Sequence, residues 1–581
     1  MIRLKKPLEY YEKKYDTTLY ALNKLYLLME KQRNRGQEGA GAACVKLSAP
    51  AGEEFMFRER KEGKNAITDL FADINSALIG HENNLKDAPY VGECYLGHLR
   101  YSTTGRSGIS YVHPMLRRQN YRHNTLALCG NFNLTNVMDV FDSLTAEGQH
   151  PRRTSDTTVL LEQLGNAIDK NHLGENRITN ILNECAPTWD GGFVICGLLG
   201  DGNMFAVRDP WAIRPAFYYS DEEVVVVASE RPIIQTVMNV KSEDIVELGA
   251  GEAIEINTSG DVKLTQILSP RKTFPCSFER IYFSRGSDED IYIERKRLGA
   301  ALVPEIMTSI DNDLDNTVFS FIPNTAEIAF FGMTYELNNR LNERKYELIK
   351  KGGFSDEELK NILDRKVRQE KVVIKDVKLR TFISDSGARN ELANHVYDIT
   401  YGSIVPRIDN LVAIDDSIVR GTTLRESIIS ILSRLSPRKL IFVSSAPQIR
   451  YPDFYGIDMS DIGDLLAFKA AVELRGKNVL DDIYNKCIAQ RNLSATEMVN
   501  YVQELYAPLS EEEIAKKATE LVMPEGIDFP IEIIFQKLEK LSNIIPYHTG
   551  DWYFSGNYPT PGGVKCVNES FIAYYEKTFI K

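Results

Sequence analysis

The sequence has 581 residues, of which 43% are hydrophobic and 26% charged, and its formal net charge is −12 at pH 7. A chain of this length is too long to fold around a single hydrophobic core, and its length predicts about two to four domains. The negative net charge argues against bulk binding of nucleic acid. No apolar run is long enough to span a membrane, and the N-terminus lacks the apolar stretch of a signal peptide. We therefore expect a cytoplasmic protein with no nucleic-acid or membrane partner, in which a local basic pocket can still bind an anionic substrate.

The eight cysteines are scattered along the chain, and no two of them form a CxxC pair. This pattern favours reduced, buried thiols and argues against a disulfide framework or a zinc site.

The first predicted helix covers residues 18–33, where apolar side chains recur at helical spacing. A turn interrupted by glycines follows at residues 34–43 and reads NRGQEGAGAA. By itself this turn indicates only the end of a helix.

Three segments follow in order: GHLRYSTTG within residues 95–105, NFNLTN within 126–136, and TSDTTVLL within 153–164, where Ser155 or Asp156 is placed to cap a helix. Together with the RGQE turn, they resemble the glutaminase half of the glutamine amidotransferases, which are N-terminal nucleophile (Ntn) hydrolases. The resemblance implies an αββα fold, with two stacked sheets between helices, over residues 1–265.

The resemblance also implies roles for four residues. Arg100 would bind the carboxylate of glutamine, a task that suits a bidentate guanidinium, and Asp156 would bind the α-amino group. The side-chain amide of Asn131 would form the oxyanion hole together with the backbone N–H of Phe132, which stands where the family usually has glycine.

The sequence departs from this family at its first residue. An Ntn amidase requires Cys, Ser or Thr there, because the free α-amino group acts as the base for that side chain, whereas this sequence begins Met1-Ile2. Either translation starts a few codons upstream and encodes the cysteine, or the nucleophile is lost and the enzyme uses free ammonia or a partner's glutaminase. We favour the upstream start, because residues that bind glutamine would serve no reaction in a domain without a nucleophile.

Residues 191–255 are rich in predicted strands, and the sequence changes character after about residue 265. Residues 319–330 predict a strand, a proline turn and a helix start, in which Thr325 is placed to cap the helix. Residues 342–375 are highly charged with helical spacing, and we expect a solvated helical insertion there.

The most specific segment is VAIDDSIVRGTT at residues 412–423. Its apolar run predicts a buried parallel strand, and Thr423 with Glu426 has the spacing of a capping box. The loop between them therefore lies at a helix N-terminus, where unpaired backbone N–H groups favour a phosphate. Asp415 and Asp416 are hard oxygen ligands that suit ribose hydroxyls or Mg²⁺.

This segment resembles the phosphoribosyl pyrophosphate (PRPP) signature of the type I phosphoribosyltransferases. Its residues DDSIVRGTT resemble those of the glutamine PRPP amidotransferases in particular. The resemblance implies an α/β domain with a parallel sheet at residues 266–480, followed by a helical extension at 481–581 used for packing and assembly. The implied PRPP contacts are Ser417, Arg420, Gly421, Thr422 and Thr423, together with Arg380 in a lid at residues 379–392. Asp415, Asp416 and Thr325 are the implied Mg²⁺ site.

Some members of this family carry an iron–sulfur cluster on four cysteines. Here Cys276 matches the first ligand position, but Asp453 stands where the second cysteine would be, and the late CxxC is missing. We therefore expect no iron–sulfur cluster.

The motifs occur in family order along most of the chain. They imply that glutamine is hydrolysed in the first domain and that ammonia displaces pyrophosphate from PRPP in the second, giving 5-phosphoribosylamine for purine synthesis. Two alternatives stay open: an ammonia-dependent phosphoribosyltransferase with an inactive glutaminase, and a non-catalytic PRPP or nucleotide sensor. The resemblance further implies purine nucleotides as inhibitors and a homo-oligomer, either a dimer or a tetramer.

Overall fold

The computed structural model describes residues 1–81, 84–101, 108–171, 173–174, 176–375, 397–421, 424–457 and 459–580. The first half of the chain forms two antiparallel sheets, and the second half is built on a parallel sheet. Among the described helices, none is both long enough and apolar enough to cross a lipid bilayer.

Alternating short apolar segments form the strands of the first half, as their period of two predicts. These strands are β1 (Ile2–Leu4), β2 (Gly39–Val45), β3 (Met56–Glu62), β4 (Cys94–Arg100), β5 (Met115–Arg117), β6 (Leu126–Leu134), β7 (Gly191–Leu199), β8 (Met204–Arg208), β9 (Phe217–Ser220), β10 (Val224–Ala228), β11 (Val246–Glu247), β12 (Glu252–Ile256) and β13 (Val262–Gln266). The first sheet has the order β11-β9-β10-β1-β4-β2-β3, and the second has the order β13-β12-β8-β7-β6-β5.

Among the described residues, the α-helices that accompany these sheets are α1 (Leu8–Tyr15), α2 (Tyr20–Lys31), α3 (Ala66–Ser76), α4 (Val137–Ala146), α5 (Asp156–Lys170), α6 (Arg177–Cys185) and α7 (Arg231–Met238). Alternation along β6 shows how the layers stack. Ala127 and Cys129 pack in a core that both sheets share, whereas Leu126 and Leu128 pack against α5 and α6. On the opposite side, α2, α3 and α7 cover the outer face of the first sheet. The expected sandwich of two sheets between helices is confirmed.

The second half is organised around a five-stranded sheet in which every pair is parallel. Its order is β15-β14-β18-β19-β20, and β16 and β17 form a separate antiparallel pair. The strands are β14 (Thr317–Phe321), β15 (Arg368–Gln369), β16 (Val373–Lys375), β17 (Tyr397–Ile399), β18 (Asn410–Asp415), β19 (Lys439–Ser444) and β20 (Ile531–Phe535). The parallel α/β sheet expected for this half is confirmed.

The helices of this half are α8 (Glu289–Ala301), α9 (Val303–Ser309), α10 (Glu327–Lys351), α11 (Asp356–Asp364), α12 (Ser430–Leu432), α13 (Leu466–Arg475), α14 (Lys477–Ala489), α15 (Gln503–Tyr506), α16 (Glu511–Val522), α17 (Leu538–Ile544), α18 (Trp552–Ser555) and α19 (Pro561–Tyr575). Both faces of the parallel sheet are buried, as such sheets require. On β18, Leu411 and Ala413 pack toward α13, α14 and α19, whereas Val412 and Ile414 pack toward α9 and α10.

Two parts of the second half differ from expectation. Ile531–Phe535, in the predicted helical extension, is instead β20, and it pairs in parallel with β19. The charged insertion is helical only as far as Asp364; beyond it, β15 joins the edge of the main sheet and β16 pairs with β17. Both segments form strands because each pairs by hydrogen bonds with a neighbouring strand, and the helical pattern of the sequence does not reveal that neighbour.

Candidate active sites

A cavity of about 510 Å³ lies between β4 of the first sheet and β6 of the second. Four residues that the sequence associates with glutamine line it together: Arg100 ends β4, Asn131 and Phe132 lie on β6, and Asp156 begins α5. The structure therefore places side chains from three separate elements around one space.

Arg100 and Asp156 give this cavity one positive and one negative group. Arg100 is 9% exposed, and its guanidinium lies 5.4 Å from the centre of the Tyr111 ring. Burial raises the pKa of Asp156 to about 6, although the backbone N–H of Thr157 donates to its Oδ1 at 2.8 Å. Opposite charges around one cavity can bind the carboxylate and ammonium groups of an α-amino acid.

The register of β6 turns the backbone N–H of Phe132 away from β7. Phe132 lies opposite Phe193 on β7. The backbone of Phe193 faces β8: its N–H donates to Asp209 Oδ2 at 3.2 Å, and its carbonyl accepts from the Asp209 N–H at 2.9 Å. Opposite residues in an antiparallel pair turn their backbone groups either toward each other or away from each other. The Phe132 N–H therefore points to the side where β5 pairs only with residues 126–128, and it is placed to donate into the cavity.

A buried ionic cluster at the same cavity has no clear sequence signal. Arg35, in the RGQE turn, donates to Glu230 Oε1 at 2.6 Å and to Glu279 Oε2 at 2.8 Å. Arg214 lies 3.5 Å from the Glu279 carboxylate, so the two arginines share this acid. The partners of Arg35 lie 195 and 244 positions away, and no local pattern connects them.

Met1 and two thiols also line the cavity. The Met1 amino group donates to the Val227 carbonyl at 2.8 Å, and Cys129 and Cys196 lie directly opposite each other on β6 and β7. The hypothesis of a nucleophilic cysteine encoded before Met1 stays a prediction.

The second site lies at the carboxyl end of β18, where Asp415 ends the strand and Asp416 follows it. The Asp416 N–H donates to Asp415 Oδ1 at 2.8 Å, and the Ser417 hydroxyl donates to Asp416 Oδ1 at the same distance. Burial, and then the charge of Asp416, raise the pKa of Asp415 well above its usual value. Burial raises the pKa of Asp416 to about 6. Two half-buried carboxyl groups on adjacent residues repel each other when both are ionised, so the pair is suited to a cation.

Other residues assigned to PRPP or metal gather around this pair. The Thr325 hydroxyl, after β14, hydrogen-bonds to the Asp416 carboxylate and lowers its pKa. Arg420 lies 3.5 Å from Asp464, and Gly421 has φ of 71°, a left-handed conformation that favours glycine. The carboxyl ends of β14 and β18 thus supply both sides of one site.

Three of the predicted PRPP contacts, Thr422, Thr423 and Arg380, lie outside the described residues. The helix expected after the loop begins as a π-type turn at Leu424–Ile429 and continues as the short α12.

The donor types at this site fit Mg²⁺, which prefers carboxylate and hydroxyl oxygens. Within the described part of the chain, no cluster of three His, Cys, Asp or Glu side chains forms a complete metal site. Asp415 and Asp416 would therefore hold Mg²⁺ with help from substrate oxygens and water.

A single turn, Glu279–Phe283, reaches both sites. Phe283 lines the first cavity, and the Asn34 side chain donates to its carbonyl at 2.8 Å. Burial, and then the charge of Asp416, raise the pKa of the neighbouring Tyr282, which places its ring close to the second site. This turn therefore lines the first cavity through Phe283, and its Tyr282 lies within range of the charge of Asp416.

The residues at the iron–sulfur positions are engaged by other groups. Cys276 Sγ lies 3.0 Å from the Tyr553 hydroxyl, and burial raises the pKa of this thiol to about 12. Asp453 accepts hydrogen bonds from the Trp552 indole and from the backbone N–H groups of Tyr455 and Ile457. A protonated thiol and a fully bonded carboxylate do not fit the thiolate ligands of such a cluster.

Comparison with known proteins agrees with this arrangement. Residues 109–236 match the family of glutamine amidotransferase domains. Amidophosphoribosyltransferases from Haemophilus influenzae and Escherichia coli are 27% and 28% identical over 463 residues, covering 77% of this chain and 81% of each relative. The amidophosphoribosyltransferase of Methanocaldococcus jannaschii is 26% identical over 484 residues, covering 79% of this chain and 88% of the relative.

Solved structures show the same fold. Glutamine PRPP amidotransferase from B. subtilis, in complex with ADP and GMP, superposes with a TM-score of 0.63 at 24% identity and covers 92% of this chain and 94% of that chain. The resemblance to the amidophosphoribosyltransferases is therefore confirmed over most of the chain, from the glutaminase half through the parallel sheet.

Proposed function

We propose that this chain is an amidophosphoribosyltransferase, which forms 5-phosphoribosylamine from PRPP and glutamine in the first step of purine synthesis. The observation that carries the proposal is the pairing of two sites in one chain. The cavity with Arg100 and Asp156 suits glutamine, the Asp415-Asp416 loop suits PRPP, and the Glu279–Phe283 turn lies at both. Residues 1–265 are the glutaminase domain, 266–480 the phosphoribosyltransferase domain, and 481–581 a C-terminal extension.

In the glutaminase cavity, Arg100 binds the glutamine carboxylate and ionised Asp156 binds the α-ammonium group. Attack on the amide carbonyl places negative charge on its oxygen, which the Asn131 side chain and the Phe132 N–H stabilise by donating hydrogen bonds. A cysteine encoded before Met1 is the proposed nucleophile. The intact mass of the N-terminal peptide from natively expressed protein tests that assignment directly.

At the second site, the nitrogen lone pair of ammonia forms the bond to C1 of PRPP. The bond from C1 to the pyrophosphate oxygen breaks, its electron pair leaves with pyrophosphate, and the nitrogen gives up a proton. Asp415 and Asp416 orient the ribose hydroxyls, while Ser417 and the loop to Gly421 bind phosphate oxygens. When bound, Mg²⁺ neutralises negative charge on the leaving pyrophosphate.

Purine nucleotides are proposed as inhibitors, and the solved B. subtilis relative holds ADP and GMP. A homo-oligomer, dimer or tetramer, is the proposed assembly.

The test measures pyrophosphate release from PRPP with Mg²⁺ by the natively expressed protein, using glutamine or ammonium as the nitrogen source. We expect release with both, and a phosphoribosylamine product that can be trapped by the next enzyme of the pathway. Release with ammonium alone would favour an ammonia-dependent transferase. PRPP binding without release from either source would contradict the proposal and favour a sensor.

A further inference from the structure

Two buried histidines lie beside the glutamine cavity without a part in the proposed mechanism. His98 is on β4 of the first sheet, and His113 precedes β5 of the second. Their ring centres are 4.2 Å apart at an angle of 35°, so the imidazoles form a contact between the two sheets. They occupy the side of β6 that β5 leaves uncovered beyond residue 128.

His98 holds the segment that precedes Asn131. Its Nε2 lies 3.1 Å from the Gly130 carbonyl oxygen. Because a carbonyl only accepts, Nε2 carries the hydrogen in this contact. Burial lowers the pKa of His98 to about 4, so the ring is neutral at physiological pH.

His113 contacts both parts of the proposed glutamine site. Its ring stacks on Phe132 with centres 5.5 Å apart at 21°, and its Nε2 lies 2.8 Å from Thr157 Oγ1. The N–H of Thr157 donates to Asp156 Oδ1 at 2.8 Å, and the Thr157 hydroxyl lies 3.5 Å from the same oxygen. A chain of contacts therefore runs from His113 through Thr157 to Asp156.

Simple core packing does not account for these side chains. In the described part of the chain, Nδ1 of each histidine is buried without a hydrogen-bond partner, which costs free energy that an apolar residue of similar size avoids. The contacts that offset this cost are made by the two Nε2 atoms. Each Nε2 atom contacts a segment that carries a residue proposed to bind glutamine.

We propose that His113 is a positioning residue that fixes Asp156 through Thr157, and so sets the preference of the cavity for a ligand with an α-ammonium group. This inference rests on the proposed binding of glutamine by Arg100 and Asp156. His98 supports it by holding His113 from the facing sheet.

The test compares binding of L-glutamine with binding of 4-carbamoylbutanoate, its counterpart without the α-amino group, by isothermal titration calorimetry on the full chain. In His113→Phe and Thr157→Val we expect the preference for glutamine over the des-amino ligand to fall about fivefold or more, with affinity for the des-amino ligand little changed. The double variant should lose no more than either single one, because the two residues act in one chain. Thr157→Ser keeps the hydroxyl and should retain the preference.

The matched controls are His123→Phe and Thr145→Val, which remove an imidazole and a helix hydroxyl outside the cavity. Equal loss of affinity for both ligands would show a merely structural role and overturn the proposal, as would an unchanged preference. If His113→Phe does not fold, as judged by circular dichroism, Thr157→Val decides alone. A wild-type chain that binds no glutamine would instead overturn the glutamine half of the proposed function, and this inference with it.

Discussion

At the scale of single residues, Asp156 has the property that most directly links charge to function. Burial at the cavity raises its pKa to about 6, whereas hydrogen bonds from Thr157 act in the opposite direction. A carboxyl group with a raised pKa is ionised only above that value, and only the ionised form attracts the ammonium group of an amino acid. Glutamine binding should therefore depend on pH in a range where few carboxylates titrate.

We predict that glutamine affinity is constant above about pH 7 and falls as the pH drops through 6, approaching tenfold per unit below it. Protonation of Asp156 removes the attraction, whereas the ligand's ammonium group stays protonated throughout this range. Calorimetric titrations between pH 5 and pH 8 measure the profile. Asp156→Asn should bind glutamine weakly and without this dependence, and a flat wild-type profile would contradict the assignment.

At the scale of elements, β18 shows how a strand presents two acids that destabilise the unliganded fold. Its apolar run fixes the strand in the middle of the parallel sheet, and the strand's end then leaves Asp415 and Asp416 side by side and half-buried, where each raises the cost of ionising the other. Because the folded state raises both pKa values, ionisation of the pair lowers stability as pH rises through those values. Bound cation and substrate would relieve this cost.

We predict that Asp415→Asn raises the melting temperature of the chain without Mg²⁺ or PRPP at pH 8, by about 2 °C or more. The gain should shrink as the pH is lowered, because protonation of the wild-type carboxyl, whose pKa is raised by burial, removes the same repulsion. The same variant should lose about 100-fold or more in PRPP turnover, because a ligand of ribose or metal is gone. Scanning calorimetry and pyrophosphate release measure the two effects.

Glu426→Gln is the matched control, since it removes one negative charge from an exposed position on the following turn. It should change neither quantity appreciably. A lower melting temperature in Asp415→Asn would show that the carboxylate is a net stabilising contact, contrary to the repulsion argument.

The elements also show what the sequence could predict. The run from Leu411 to Ile414 predicts a parallel strand, which the structure confirms, and the two acids that follow lie at its carboxyl end. Ile531–Phe535 is not predicted from the sequence, because a five-residue segment with four apolar residues is too short for its period to separate a strand from a buried helix. The Arg35 cluster was missed because its partners are joined only by the tertiary fold.

At the scale of the whole molecule, the two halves meet through contacts to segments at the glutamine cavity. Asn133, two residues after Asn131, donates to the Phe454 carbonyl at 2.6 Å, and Arg214 donates to the Tyr455 carbonyl at 2.7 Å. The C-terminal helix α19 docks on the same side, where the Gly562 N–H donates to Asp190 Oδ2 at 3.2 Å. The extension therefore braces the end of β6 against the second half.

We predict that Gly562→Ala weakens this junction, because the new Cβ would lie 2.0 Å from Thr135 Oγ1 and 2.7 Å from Asp190 Oδ1. Neither group can easily retreat, since Thr135 hydrogen-bonds to Asp190 through both its backbone N–H and its hydroxyl. Overpacking of this kind costs roughly 1–3 kcal/mol, and scanning calorimetry should show a lower melting temperature.

Gly174→Ala is the control for this change, because its Cβ would meet no atom of the described residues within 4 Å. It should leave the melting temperature near that of the wild type. Adding Thr135→Ala to Gly562→Ala should recover only part of the loss, since the Thr135 Cβ atom, 2.8 Å from the new methyl, remains. If Gly562→Ala unfolds at the same temperature as Gly174→Ala, then α19 does not pack tightly at Gly562. The inference that the C-terminal extension braces the end of β6 would then be wrong. If the double variant recovers part of the melting temperature that Gly562→Ala loses, the close contact with Thr135 is the cause of the loss, and α19 packs against the segment that follows β6.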